Sequence, residues 1–432
     1  MKTVTVGIDF GTTNSSVAHI NGAGEVVLAR FVAAGRSTES YRSLLYLEQV
    51  KERGVKPLKS WSGPAGIDQY LSGDGKGRLM QSLKSFLSSR SLQTTEIFGK
   101  RYALEGLIGR ILRDLREKAE AQFGVKITGA VVGRPVQFVG SENDDDNRYA
   151  ETRLVEAFSI AGYESVEFEL EPVAAARYYE STLSRDQLIL IGDFGGGTSD
   201  FSLLRVGPTI LRRGRSDADL LGNAGVGFAG DAFDAKIIRH LIAPALGAGS
   251  EMRSMDKILS VPSWVYAKLE RWHHLSFLKT RDVMEMLRGV EKDALEPEKI
   301  KALIHVVRED LGFQLHRAVQ KVKSDLSDHD RAVFRFSDGY LQFEAVLERK
   351  AFEAWIEEEL TMIRNCVDSL LAESGVQNEA IDEVFLTGGS SFVPAVRRIF
   401  EDRFGSGKIQ TGNEFTSVAH GLALKAAVGL TL

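Results

Sequence analysis

Two short segments, far apart in this chain, answer each other and constrain its fold more than any other feature. Gly7-Ile8-Asp9-Phe10-Gly11-Thr12-Thr13 is echoed by Gly192-Asp193-Phe194-Gly195-Gly196-Gly197-Thr198. Each sets an aspartate at the end of an apolar strand and follows it with small residues and threonine. Glycine there lets the backbone turn tightly, and its N–H groups can approach an anion without a side chain in the way. The echo predicts two related lobes, each opened by one turn, with a cleft between them.

Chain size agrees: 432 residues exceed the roughly 100–200 residues of an ordinary domain. With 43% hydrophobic and 26% charged residues, the chain has the balance of a soluble globular protein. A net charge of -5, with Lys and Arg spread along the chain, gives no basic excess, so nucleic acid is not expected as a partner. The chain begins directly with the strand-like Thr3-Val4-Thr5-Val6-Gly7-Ile8, and no apolar run approaches membrane-spanning length. We therefore expect a cytoplasmic protein without a membrane partner. The single Cys366 falls in the apolar rhythm of Ile356, Leu360, Ile363, Val367 and Leu370 and reads as a packing residue.

Strand-like runs alternate with amphipathic helices, the rhythm of a layered α/β architecture. Leu104, Leu107, Ile108, Ile111, Leu112 and Leu115 predict a helix, with Gly124 placed for a left-handed cap. Ala130-Val131-Val132-Gly133 and Leu188-Ile189-Leu190-Ile191-Gly192 read as buried strands, and Val384-Phe385-Leu386 leads into Thr387-Gly388-Gly389-Ser390 and a helix. A hairpin is predicted around Ser337-Asp338-Gly339, and one long helix from Phe352 to Leu371. Expected domains are 1–182 as the first lobe, 183–384 as the second with a decorated helical subdomain at about 231–330, and 385–432 as closing helices packing on the second lobe and hinge. The stretch 247–300, with Trp264, Trp272, His273 and His274 among helical residues, belongs to that decoration.

Threonine hydroxyls in the two turns add donors for phosphate oxygens. Neither Asp9 nor Asp193 could favourably face a polyphosphate alone, so a hard cation between carboxylates and phosphates is expected, namely magnesium. Two clusters carry no such meaning. Asp144-Asp145-Asp146 reads as a solvated loop and the start of a helix near Asn147, and His273-His274 lacks companion ligands.

At residues 7–18, GIDFGTTNSSVA, the chain resembles the first phosphate loop of the seventy-kilodalton heat-shock chaperone family. Asp193-Phe194-Gly195-Gly196-Gly197-Thr198-Ser199-Asp200 resembles its second phosphate loop, and Glu171-Pro172-Val173-Ala174-Ala175-Ala176 its first connecting helix. Gly388-Gly389-Ser390 with Val393 and Pro394 resembles its adenosine motif, and Gly230-Asp231-Ala232-Phe233-Asp234 its post-hairpin segment. The motifs lie in family order over nearly the whole chain. The resemblance implies an actin-like ATPase fold: two lobes, each on a mixed β-sheet with flanking helices, around a nucleotide cleft.

It also implies roles. Lys84, in Leu83-Lys84-Ser85-Phe86-Leu87, resembles the family's catalytic lysine, although an arbitrary lysine in such a pattern would be a solvated one. Glu171, Asp193 and Asp200 match the acidic cluster around magnesium and the attacking water, with Thr13 and Thr198 toward the γ-phosphate. A carboxylate at the start of a helix, as Glu171 is, would also be stabilised by the helix dipole, by about 0.3–1 kcal/mol. Nucleotide contacts are expected from Gly11, Thr12, Thr13, Asn14, Gly195, Gly196, Gly197, Thr198, Gly230, Asp231, Lys323, Ser327, Gly388, Gly389, Ser390 and Phe392. Magnesium is expected on Asp9 and Asp193 through water. The chain departs from the family at Ser324, where an arginine stacks on adenine in eukaryotic-type members, at Phe392, where an arginine is usual, and at Phe415, often an aspartate. The Phe392 ring is expected to supply the apolar surface beside the base.

These features imply an ATP/ADP-binding, slowly ATP-hydrolysing, chaperone-like switch, whose partners would be a protein client or co-chaperone. The family joins this body to a peptide-binding domain, expected to be absent here, a layout resembling the short YegD-type branch. Alternatives are a sugar-type small-molecule kinase on the same fold and an actin-like filament-forming protein.

Overall fold

Thr3–Phe10, rich in β-branched residues and ending in the first echoing turn, is the central strand of a mixed sheet. The computed structural model describes residues 3–33, 35–50, 57–72, 77–271, 275, 278–411 and 416–428. Trp272, His273, His274 and Phe415 lie outside the described residues. The chain divides into two compact units: Met1–Gly230 with Met362–Ser391 and Val396–Leu432, and Asp231–Thr361 with Phe392–Ala395.

The first unit holds two sheets of the same design. On one side of Thr3–Phe10 lie the antiparallel strands Asn14–Ile20 and Val26–Leu28; on the other, Lys126–Arg134 and Ser165–Leu170 run parallel. The second sheet repeats this around Gln187–Phe194, with antiparallel Ser199–Val206 and Leu220–Val226 on one side and parallel Glu383–Thr387 and Ile409–Thr411 on the other. Equivalent positions even pair alike, Asp9 opposite Ser16 and Asp193 opposite Asp200. The apolar strand residues are buried, Val6, Ile8, Ile189 and Ile191 completely.

Helix Leu104–Phe123 buries Leu107, Ile108, Ile111, Leu112 and Leu115, and Gly124 ends it with φ 67, donating its N–H to the Glu120 carbonyl. Helix Ser417–Val428 packs on Glu171–Glu180 and on the strand Thr3–Phe10. A Cβ at Gly421 would lie 1.7 Å from the Ala174 carbonyl oxygen, so the helices can approach this closely only through glycine.

Three local expectations need correcting. Helix Asp144–Ala161 starts earlier than Asn147 and takes all three aspartates into its first turn, because the Asn143 side chain caps the Asp146 N–H and the dipole favours acids there. The helix expected from Phe352 to Leu371 is two, Arg349–Trp355 and Glu357–Ser374. Buried Ile356 interrupts it at φ -98 and ψ 9, and Glu357, Glu358 and Glu359 form the first turn of the second helix. Within the stretch read as helical, Glu251–Ser254 and Lys257–Ser260 form an antiparallel hairpin turning at exposed Met255, φ 52.

The second unit also holds the helices Trp264–Leu269, Arg281–Asp293, Pro297–Arg308 and Gly312–Asp328. The predicted hairpin is present as Arg331–Ser337 and Gln342–Glu348, with Gly339 at φ 92. Asp338 accepts N–H groups from Tyr340 and Leu341 across this turn and lies 2.5 Å from His305 Nε2.

Candidate functional site

The ends of the two central strands carry Asp9 and Asp193, and the turns after them are neighbours. A Cβ at Gly197 would come within 2.9 Å of the Thr12 hydroxyl. The first turn is fastened from behind: Asn14 accepts from Arg42 at 3.2 Å, and the Thr13 carbonyl accepts the Ser43 N–H at 3.0 Å. In the second, Gly195 donates its N–H to the Thr198 carbonyl, and its own carbonyl accepts from the Gly230 N–H and the Ser390 hydroxyl, both at 3.3 Å. Gly388, at φ +83, leaves no room for a Cβ, which would meet the Phe194 carbonyl oxygen at 2.2 Å. That contact seats the turn of Gly388, Gly389 and Ser390 against the second strand end.

Lys84 lies on a single 3-10 turn, Leu83–Phe86, entered through Ser82 at φ 58, left-handed backbone that a non-glycine residue rarely adopts. Its ammonium donates to Glu171 at 2.7 Å, with side chains only 7% and 10% exposed. Glu171 opens the helix Glu171–Glu180 and has Pro172 behind it, a usual first-turn residue. Asp200, 1% exposed, accepts the Val136 N–H at 2.6 Å on one oxygen; its other oxygen and the Thr13 hydroxyl have no hydrogen-bond partner among the described residues.

Four carboxylates thus share one cation in a poorly solvated place. Burial first, then Glu171, pushes Asp9 from 3.8 up to about 7, with Lys84 pulling the other way. Burial, then Glu171, Asp9 and Asp200, holds Asp193 well above the carboxylate range. Asp200 is raised to about 7 by burial and Glu171, restrained by hydrogen bonds from Thr198, Val136 and Gln137. Burial acts to lower Lys84, but Glu171, Asp9 and Asp200 outweigh it and keep the ammonium above its usual value.

The other expected contacts fall in the second unit, apart from Gly230, which opens the helix Gly230–Ile237 at the boundary. Asp231 follows it on that helix. Lys323, on Gly312–Asp328, lies 2.5 Å from the buried Asp234 carboxylate. Ser327 is half-buried and Ser324 exposed on the same helix, and Phe392 is 46% exposed. Among the described residues no group of three or more His, Cys, Asp or Glu side chains is arranged to hold a metal directly. Half-buried Cys366 has its thiol pushed up to about 12, mainly by burial, so it is no thiolate nucleophile.

Sequence reasoning missed Arg153 and Glu105, which hold the loop after Lys84. The one signal was an arginine on the apolar stripe of Ala150, Leu154, Ala157, Phe158 and Ala161.

Paired mixed sheets, each opened by an acid-and-glycine turn and joined through helices, define the actin-like ATPase fold. A family model described as "Hsp70 protein" matches residues 82–255 and 299–431, and the chain belongs to the Hsp70 family. It is 26% identical over 438 residues to a protein named chaperone protein DnaK from Thermosipho africanus (strain TCF52B), covering 99% of this chain and 59% of that protein. Proteins of the same name from Deinococcus proteolyticus and Cyanidioschyzon merolae are 25% and 26% identical, with 98% of this chain covered in each case and 59% and 61% of theirs. The chain spans about three fifths of the length of the curated relatives it matches.

Proposed function

We propose that this chain binds ATP with magnesium and hydrolyses it slowly, as a cytoplasmic, chaperone-like conformational switch read by a protein client or co-chaperone. The observation that supports it best is the buried Lys84–Glu171 pair set among Asp9, Asp193 and Asp200, beside two neighbouring glycine turns. Lys84 gives Glu171 one of its three N–H donors, which leaves donors for the terminal phosphate. The buried, unpartnered Thr13 hydroxyl suits a phosphate oxygen, and the second oxygen of Asp200, likewise buried and unpartnered, suits a water. Water attacks the γ-phosphorus, the bond to the β-phosphate oxygen breaks, and Asp200, with its pKa near 7, takes the water's proton.

Magnesium fits the donor set. Asp9 and Asp193 repel each other's charge, and magnesium takes one or two carboxylates while keeping several waters. When bound, it would neutralise charge on the phosphates. The family resemblance alone assigns Lys323, Ser327, Gly388, Gly389, Ser390 and Phe392 to the nucleoside side of the ligand.

The test is to give purified protein ATP and magnesium, with and without a panel of sugars, while following free phosphate and product mass. Phosphate release without a phosphorylated acceptor, strongly slowed but still measurable in Lys84→Ala and strongly slowed in Asp193→Ala, is expected. A phosphosugar product would transfer the site to the kinase class, and no nucleotide uptake in calorimetry would end the reading altogether.

A further inference from the structure

A single 3-10 turn cannot fix a lysine by itself. Leu83–Phe86 is closed by two backbone bonds, Ser85 N–H to the Ser82 carbonyl at 3.0 Å and Leu87 N–H to the Lys84 carbonyl at 3.2 Å. After it, residues 87–93 run without helix or strand to the strand Thr94–Ile97. Yet the Lys84 ammonium is held at 2.7 Å from Glu171, in a place where a small displacement would break the pair.

Leu83 and Leu87 are buried, and the Ser88 hydroxyl donates to the Val139 carbonyl at 2.5 Å, but most of the loop's hydrogen bonding comes from one guanidinium. Arg153, 4% exposed, donates from Nη1 to the carbonyls of Phe86, Leu87 and Ser89, each at 3.1 Å, and from Nη2 to the carbonyl of Leu92 at 3.0 Å. Its Nε is paired with Glu105, itself 8% exposed. Glu105 is the second residue of Leu104–Phe123, and Arg153 lies in Asp144–Ala161, two long helices that pack on each other. The carbonyls it gathers are those at the C-terminal end of the Lys84 turn and along the loop beyond, outside any strand or helix; that of Phe86 also accepts the Ser89 N–H at 3.1 Å. The planar fork of arginine can serve several carbonyls in one plane, which a lysine ammonium on a flexible stem cannot.

We propose that Arg153, oriented by Glu105, is the positioning residue for Lys84, fastening its turn to the helical core so that the ammonium meets Glu171 and the γ-phosphate. The inference rests on the hydrolytic reading for its kinetic consequence but not for its structural one, so two readouts separate them. In nucleotide-free protein, Lys84 should resist an amine-reactive acylating reagent, and Arg153→Lys should make it react much faster, as read by mass spectrometry of its peptide. With ATP and magnesium, single-turnover hydrolysis in Arg153→Lys should fall about 10- to 100-fold, the range for a group misplaced by an ångström or so, with ADP affinity little changed. In a Lys84→Ala background, Arg153→Lys should slow hydrolysis no further, because both act through one group.

Additive losses, equal loss of ADP binding and rate, or unchanged Lys84 acylation would each overturn the proposal. Glu105→Gln, which keeps the shape of the pair and weakens it, should show the same pattern in milder form and serves if Arg153→Lys does not fold. Absence of hydrolysis in the parent protein would defeat the hydrolytic reading alone, and the acylation comparison would still decide this one.

Discussion

Removing the Lys84 ammonium should unbalance the acidic site, and the size of that effect follows from its geometry. Lys84 and Glu171 are 2.7 Å apart and almost fully buried. At an effective dielectric constant of about 20, unit charges this close attract by about 6 kcal/mol before desolvation is subtracted. Breaking a buried pair by deleting one member typically costs about 3–5 kcal/mol, because the other charge is left buried alone. Lys84→Met should sit at or above the middle of that range, since it leaves Glu171 facing Asp9, Asp193 and Asp200 without their cation. Glu171→Gln should cost much less, for it removes the carboxylate that raises all three aspartates. The double variant Lys84→Met/Glu171→Gln should therefore be more stable than Lys84→Met alone, with a coupling of about 1–3 kcal/mol. The assay is urea unfolding of the four proteins at pH 8 in EDTA, compared as a double-mutant cycle. If Lys84→Met lies within about 1 kcal/mol of the parent, or if the two losses simply add, the pair does not hold the site together and the reasoning fails.

The same carboxylates set a pH dependence. Folded-state values of about 7 for Asp9 and Asp200, against 3.8 for the free side chain, mean that the folded protein binds more protons than the unfolded one between those values. Their contribution to stability therefore increases as pH falls from 8 toward 5; a melting temperature in EDTA that fell steadily over this window would contradict it. For the nucleoside side, Phe392→Ala should weaken ATP binding about 2- to 10-fold, the equivalent of one lost aromatic contact, while leaving the hydrolysis rate of bound ATP unchanged. Unaltered affinity in titration calorimetry would remove Phe392 from the site.

Much of this architecture could be read from local pattern. The echo around Asp9 and Asp193 appears as two sheets built on one plan, because spacing and apolar runs are properties of contiguous residues. Gly124 ends its helix where left-handed geometry was needed. What escaped depends on contacts distant in sequence. Lys84 was reached only through the family resemblance, because nothing local marks it and its ion-pair partner Glu171 is 87 positions away. Arg153 interrupts the apolar stripe of its helix without any local signal of its role, and only the loop carbonyls it gathers explain it. The break at Ile356 was hidden because the apolar period continues through it, while the hairpin at Glu251–Ser260 is short and largely exposed, with too little periodicity to set it apart from helix.

The two ladders match in register but not in residue type, with Ser16 facing Asp9 where Asp200 faces Asp193. A duplicated framework has thereby been given handedness: one half presents a neutral alcohol and the other an ionisable acid at the corresponding place. An anion settling by these strand ends therefore meets unlike walls, with one acid on the first ladder, Asp9, and two on the second, Asp193 and Asp200.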